Sequence, residues 1–206
     1  LTKLQIKAKG FEWQDNGVDT IRALRAANPG AENLGWFVVN MASTGKGKTI
    51  ANAKLMQAVS HDEQSLRYVL ALGLRTLTLQ TGDSYTDDIG LTKDQLAVVI
   101  GSSAVRELHE NGKEQNAVKV IPQEEQSGSE SAENLTDAEL VYTPVSAPES
   151  LQVFFNGRQK EQNQAFLYKP VLVCTIDHII GATETVRGGK YILPALRLLS
   201  SALVID

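Results

Sequence analysis

The chain has 206 residues, 42% of them hydrophobic, a formal charge of −4 and a single cysteine. That length supports one substantial core, and one cysteine excludes an internal disulfide or a cysteine-built zinc site. The net charge does not exclude nucleic acid: residues 121–150 hold seven acids and no base, so the remainder carries 20 bases against 17 acids.

The opening LTKLQIKAKGF lacks the charged, apolar and small-residue segments of a secretory signal, and no stretch is long and apolar enough to span a membrane. The expectation is a cytoplasmic protein or an internal piece of a longer one. Phe11-Glu12-Trp13-Gln14 follows as an aromatic-rich turn. An amide there can read the donor and acceptor pattern of an adenine edge, and aromatic rings serve equally as a hydrophobic anchor. Periodicity then predicts a helix over 17–27, and Trp36-Phe37-Val38-Val39-Asn40-Met41 predicts a buried strand over 36–41.

Directly after this strand comes Ala42-Ser43-Thr44-Gly45-Lys46-Gly47-Lys48-Thr49, and then TIANAKLMQAV, which predicts a helix over 48–59. A strand, a glycine loop ending in Lys-Thr and a helix form the pattern of a phosphate-binding loop. Its glycines let backbone N–H groups face a β-phosphate, Lys48 reaches the β and γ oxygens, and the Thr49 hydroxyl can ligate Mg²⁺. Ser43, Thr44, Gly45, Lys46 and Gly47 supply the remaining loop contacts to ATP. Lys46 is expected to point to solvent or to a phosphate.

His61-Asp62 is too little for a metal site, since His109 and His178 stand at no metal-like spacing, and reads as a polar helix boundary. A strand over 67–72 leads through Gly73-Leu74 into a helix over about 75–87, which places Arg75 at the strand-to-helix turn and Gln80 one to two turns on. An arginine beside helix N–H groups suits a phosphodiester, and a solvated arginine suits the same position. After a strand over 97–101, the stretch 115–150 loses periodicity and gains Gln, Ser, Glu and Pro, which predicts a mobile acidic insertion outside the sheet. Residues 151–169, polar with a few aromatics, suit a helix or an irregular segment that returns the chain to the core.

The last third predicts a strand over 171–175 with Cys174 buried in it, a helix over 177–186 and a strand over 202–206. Thr175 ends its strand where its hydroxyl can cap the next helix or meet a phosphate. The run Ala202-Leu203-Val204-Ile205-Asp206 is a hydrophobic strand ending in a carboxylate, the form in which P-loop ATPases hold hydrated Mg²⁺. The alternation of strands and helices predicts an α/β fold with a mostly parallel sheet between helical layers and its ligand at the carboxyl edge.

The order Gln14, Ala-x-x-Gly-x-Gly-Lys-Thr, Arg75 and Gln80, Thr175, Leu-Val-Ile-Asp resembles the first RecA-like domain of a superfamily 2 helicase. The stretches NMASTGKGKTIANAKLMQA, LALGLRTLTLQTGDSY, VVIGSSAVRELHE, VLVCTIDHIIGATETVRGG and LRLLSSALVID resemble, more narrowly, the helicase-nuclease of type I-F CRISPR systems, the form fused to an adaptation-type domain. The likeness covers nearly the whole chain except about 112–168, which is taken as an insertion in one RecA-like domain spanning 1–206. It implies an ATP-driven motor that moves 3′ to 5′ on single-stranded DNA, feeds an HD-type nuclease domain and is recruited by an RNA-guided surveillance complex in a prokaryotic cytoplasm. Under this likeness Gln14 reads adenine, Ser43 to Thr49 hold the phosphates, Lys48 and Asp206 are catalytic, Thr49 and Asp206 serve Mg²⁺, and Arg75, Gln80 and Thr175 touch the DNA. It also implies a second RecA-like domain, a nuclease and an adaptation-type domain outside this sequence, so that 1–206 alone is expected to be inactive. An RNA helicase or another superfamily 2 ATPase is the alternative.

Overall fold

The computed structural model describes residues 4, 9–30, 33, 35–100, 139–141, 160–183 and 192–206. Its centre is a sheet of four parallel strands, β1 (Tyr68–Leu72), β2 (Leu96–Ile100), β4 (Val171–Thr175) and β5 (Ala202–Ile205), with β3 (Glu139–Val141) antiparallel on one edge. The spatial order is β3-β2-β4-β1-β5, with Leu72 level with Thr175 and Val69 level with Leu203. Every residue of β1, β2 and β4 is buried, as continuous apolar runs in a sheet covered on both faces require.

One face carries Tyr68, Leu70, Leu72, Val98, Ile100, Val171 and Val173 against α2 (Lys48–Val59) and α3 (Arg75–Ser84), which runs on into a π-helical turn, Tyr85–Ile89. A Cβ on Gly82 would lie 2.6 Å from Val98, so α3 sits on β2 only because that position has no side chain. The other face packs Val69, Ala97, Val99, Leu172 and Cys174 against Phe166 of α4 (Lys160–Tyr168), Ile179 of α5 (Asp177–Ile180) and α6 (Ile192–Leu199). Cys174 is fully buried, which pushes its thiol up to about 12 and leaves it inert. Helix α1 (Glu12–Ala27) lies outside α2 through Ile21, Leu55 and Ala58, and Lys54 reaches back through the contact to Asp15 at 2.9 Å. Among the described residues no helix is long and apolar enough to cross a membrane.

Several expectations are corrected. The first helix begins at Glu12 rather than 17, so Gln14 stands in its first turn and not in an aromatic loop. Residues 36–41 form no strand. A strand exists only through hydrogen bonds to a neighbour; here a cleft separates this stretch from β5, and Phe37, Val39 and Met41 are 92%, 65% and 89% exposed. The acidic stretch is not wholly outside the sheet, because Glu139–Val141 pairs with Val98 to Ile100. Near the end of the span 112–168 taken as an insertion, α4 is the expected helical return to the core, with Phe166 fully buried there. The helix expected over 177–186 ends at Ile180 and is followed by a turn over 181–183. Residues 115–138, 142–150 and 184–186 lie outside the described residues.

Candidate nucleotide site

The carboxyl ends of the parallel strands gather most of the candidate residues. Residues 42–47 run as an irregular, mostly exposed loop from the chain before them to α2. Gly45 and Gly47 both take the left-handed conformation, at φ 76° and 74°, which an L side chain rarely adopts. Gly47 is the residue before α2, and the helix carries no side-chain cap and no acid in its first turn, so its leading N–H groups face the loop. The sequence places Lys48 and Thr49 as the first two residues of this helix, and there they stand.

Lys48 reaches across to Asp206, the residue after β5, with Nζ 3.1 Å from Oδ1. These residues are 158 apart in sequence, and both side chains are about one-third exposed. Parallel pairing brings them together: the Asp206 N–H donates to Ala71 O, which holds the end of β5 beside β1. Lys48 and Asp206 line a cleft of about 370 Å³ whose walls also include Asn40, Asn52, Trp36 and Met56. A partly exposed pair of this kind contributes about 0–1 kcal/mol, so either partner is readily exchanged. Left-handed glycines, uncapped helix N–H groups, an ammonium, a hydroxyl and an acceptor-only carboxylate form a donor set that fits a magnesium-bound triphosphate.

Gln14 is 3% exposed, and its Nε2 donates to Gly47 O at 3.0 Å. A Cβ on Gly47 would meet that nitrogen at 2.7 Å and the Phe11 ring at 3.0 Å, so glycine there serves both the backbone turn and the close approach of α1. One hydrogen of the Gln14 amide is thus bonded to the loop, and Oε1 is the side chain's acceptor.

Arg75 opens α3 and is partly exposed, and Gln80 is exposed on the same helix. Thr175 does not cap the helix after it: Ile176 is the N-cap residue, and the Thr175 hydroxyl lies 2.7 Å from His178 Nδ1 instead. Both residues are buried, and burial is the main reason that His178 holds its proton less tightly than an ordinary histidine. Sequence reasoning missed this histidine, whose only signal was its place three residues after Thr175. Asp62 accepts bonds from the Ser65 hydroxyl and from the Gln64 and Ser65 N–H groups. Those bonds, the hydroxyl's first, hold its carboxyl well below the usual range and make it a turn-former, as expected for a helix boundary. Among the described residues no cluster of His, Cys, Asp and Glu has the makeup of a metal site.

No family model matches the chain. Two curated relatives do, each described as "CRISPR-associated nuclease/helicase Cas3 subtype I-F/YPEST". The protein of Pectobacterium atrosepticum is 44% identical over 198 residues, 95% of this chain and 17% of its own length. That of Pseudomonas aeruginosa is 40% identical over 203 residues, 98% of this chain and 18% of its own. Nearly the whole chain is therefore similar to one segment of these nuclease/helicases, and it spans less than a fifth of their length. The α/β RecA-like architecture expected from the sequence is the one the structure has, with helices on both faces of the parallel strands.

Proposed function

We propose that this chain is the ATP-binding half of a single-stranded-DNA translocase that works with a nuclease in CRISPR interference. The observation that carries the reading is the meeting of Lys48 and Asp206 at 3.1 Å beside a glycine loop, in a chain similar to CRISPR nuclease/helicases over almost its full length. In the nucleotide reading, Lys48 exchanges its carboxylate partner for the β and γ oxygens of ATP, and the exchange frees Asp206, with the Thr49 hydroxyl, to hold hydrated Mg²⁺. Mg²⁺ held by these two side chains would supply neutralisation of the charge that builds on the phosphate oxygens. The N–H groups of Ser43 to Thr49 wrap the phosphates, and Gln14 Oε1 accepts from the exocyclic amine of adenine, a group that guanine replaces with an acceptor.

Arg75, Gln80 and Thr175 form the DNA side of the proposal. Leu72 and Thr175 are level on adjacent strands, and the Ile176 N–H donates to Leu72 O, so the turns that carry Arg75 and Thr175 lie side by side. A phosphate oxygen only accepts, so Thr175 can donate to it when His178 Nδ1 carries the proton between them. Completing hydrolysis needs a carboxylate to orient water and a cation from a facing domain, the latter worth about 10³–10⁵ in rate. The cation is assigned to a second RecA-like domain of a longer parent protein, with an HD nuclease and an adaptation-type domain alongside. An RNA-guided surveillance complex recruits the motor in the cytoplasm.

The test compares single-turnover ATP hydrolysis by the 206-residue chain and by a longer protein carrying the second RecA-like domain, each with single-stranded DNA, RNA or neither. DNA stimulation confined to the longer protein is the expected result. Stimulation by RNA alone favours an RNA helicase, and hydrolysis indifferent to both favours another kind of P-loop ATPase. Comparable DNA-stimulated rates in the two proteins overturn the two-domain mechanism.

A further inference from the structure

The chain entering the phosphate loop has neither helix nor strand over residues 36–43, yet a loop that presents several N–H groups to one ligand loses affinity if its entry swings. Two asparagines span its mouth. The Ala42 N–H donates to Asn40 Oδ1 at 3.1 Å, and Asn40 Nδ2 donates to Asn52 Oδ1 at 3.1 Å. Chemistry fixes both amides. A backbone N–H only donates, so Ala42 meets the Asn40 carbonyl; the Asn40 amino group then faces Asn52 and only donates, so Asn52 presents its oxygen.

Asn40 stands two residues before Ala42, at the entry of the loop, and Asn52 lies one turn into α2, the helix that leaves it. The pair thus joins the chain before the loop to the chain after it, and both residues wall the same cleft as Lys48 and Asp206. Asn52 is 6% exposed in a helix interior whose buried neighbours are Ala51 and Ala53. An apolar residue would suit that position better by helix propensity and by the cost of burying an amide, so packing alone gives no reason for asparagine.

We infer that Asn40 and Asn52 are positioning residues for the phosphate loop, a clasp that holds its entry and α2 at the spacing where the loop N–H groups and Lys48 converge on one triphosphate. The inference rests on the nucleotide reading above and adds to it which side chains hold the loop in shape.

The probe is a fluorescent ATP analogue, titrated against the protein in parallel with amide exchange at Ala42. Asn52→Leu, which keeps the branched four-atom skeleton of asparagine without its polar atoms, is expected to weaken binding about tenfold, the order of one or two lost hydrogen bonds, and to speed Ala42 exchange, although the bond to Ala42 is made by Asn40. A purely structural role for Asn52 in α2 would not move that single amide. Asn40→Ala, at a half-buried position outside helix and strand, is expected to give the same losses and serves alone if Asn52→Leu does not fold. The double variant is expected to lose no more than either single one, because both break one chain of bonds. Unchanged affinity and exchange in either variant, or two losses that simply multiply, overturns the clasp. Binding that Lys48→Ala abolishes while both asparagine variants leave it intact overturns the clasp alone. A wild-type protein that binds no analogue overturns both the clasp and the nucleotide reading.

Discussion

The two edges of the parallel sheet use the same kind of side chain in opposite ways. At the amino edge Arg197 is fully buried and donates to the carbonyls of Leu167, Lys169, Tyr68 and Pro170 at 2.6–3.1 Å. Arg67 beside it donates to Leu167, Tyr168 and Ser200, and the buried Lys169 donates to Lys93 O. These cations bind the last carbonyls of α4 and the entries of β1, β4 and β5 into one knot. Burial, with Arg67 next, pushes the Arg197 guanidinium down to about 9, still cationic at neutral pH. At the carboxyl edge Lys48 is half-buried and holds one exchangeable carboxylate. A cation whose two terminal amino groups are spent on backbone carbonyls builds the fold, whereas one with a single labile partner is available to a ligand.

The largest effect that would test this contrast is expected at Lys48. Lys48→Ala should lower ATP hydrolysis by the DNA-stimulated protein by about 10³-fold or more, since it removes a fixed cation from the site where charge develops. Its melting temperature should barely move. A variant with undiminished turnover would show that the catalytic lysine is elsewhere, and one that unfolds would erase the distinction between the edges.

Arg197→Leu should do the reverse. Four carbonyls lose their donor, and the expected cost is about 3–5 kcal/mol in chemical denaturation, the order found when one partner is removed from a buried ionic network. A loss below about 1 kcal/mol would mean that water or neighbouring donors replace the guanidinium. Any Arg197→Leu protein that stays folded should bind nucleotide with near-normal affinity, because the change lies at the opposite edge from the loop.

Gln14 sharpens the contrast within the carboxyl edge. Gln14→Leu should cut the preference for ATP over GTP about tenfold and weaken ATP binding modestly, since it removes both the acceptor for the base and the bond to Gly47 O. Equal affinity for the two nucleotides in the wild-type protein would remove the base-reading role.

The smallest effect is a pH dependence at His178. Its folded pKa lies below the ordinary 6.5, chiefly through burial, so below that pH the unfolded chain takes up the proton before the folded one does. The stability linked to a neutral His178 is complete above about pH 6.5 and is lost as pH falls through the folded value. Denaturation of wild type and of His178→Asn between about pH 7 and 5.5 should show the wild type losing stability faster on acidification. Parallel curves would place His178 in a wetter setting than the structure gives it.

Much of this was legible along the chain because the signals are local. The glycine spacing and Lys-Thr of the loop, the apolar runs of β1, β2 and β4, and the isolation of His61-Asp62 each depend on residues within a few positions of one another. The run at 36–41 shows the limit of such signals, since apolar β-branched residues mark strand propensity without supplying the neighbour that a strand must bond to. Glu139–Val141 is the converse, three residues in a polar stretch that became a strand because β2 offered a free edge. Sequence by itself determined the candidate phosphate loop, Ser43 to Thr49, and the candidate carboxylate at Asp206, since both are read from residue type and spacing. Only the tertiary structure decided that Lys48 meets Asp206, that Thr175 turns to His178, that Asn40 reaches Asn52 and that Arg197 is architecture, because parallel pairing and burial determine which distant groups become neighbours and which of their hydrogen bonds are already spent.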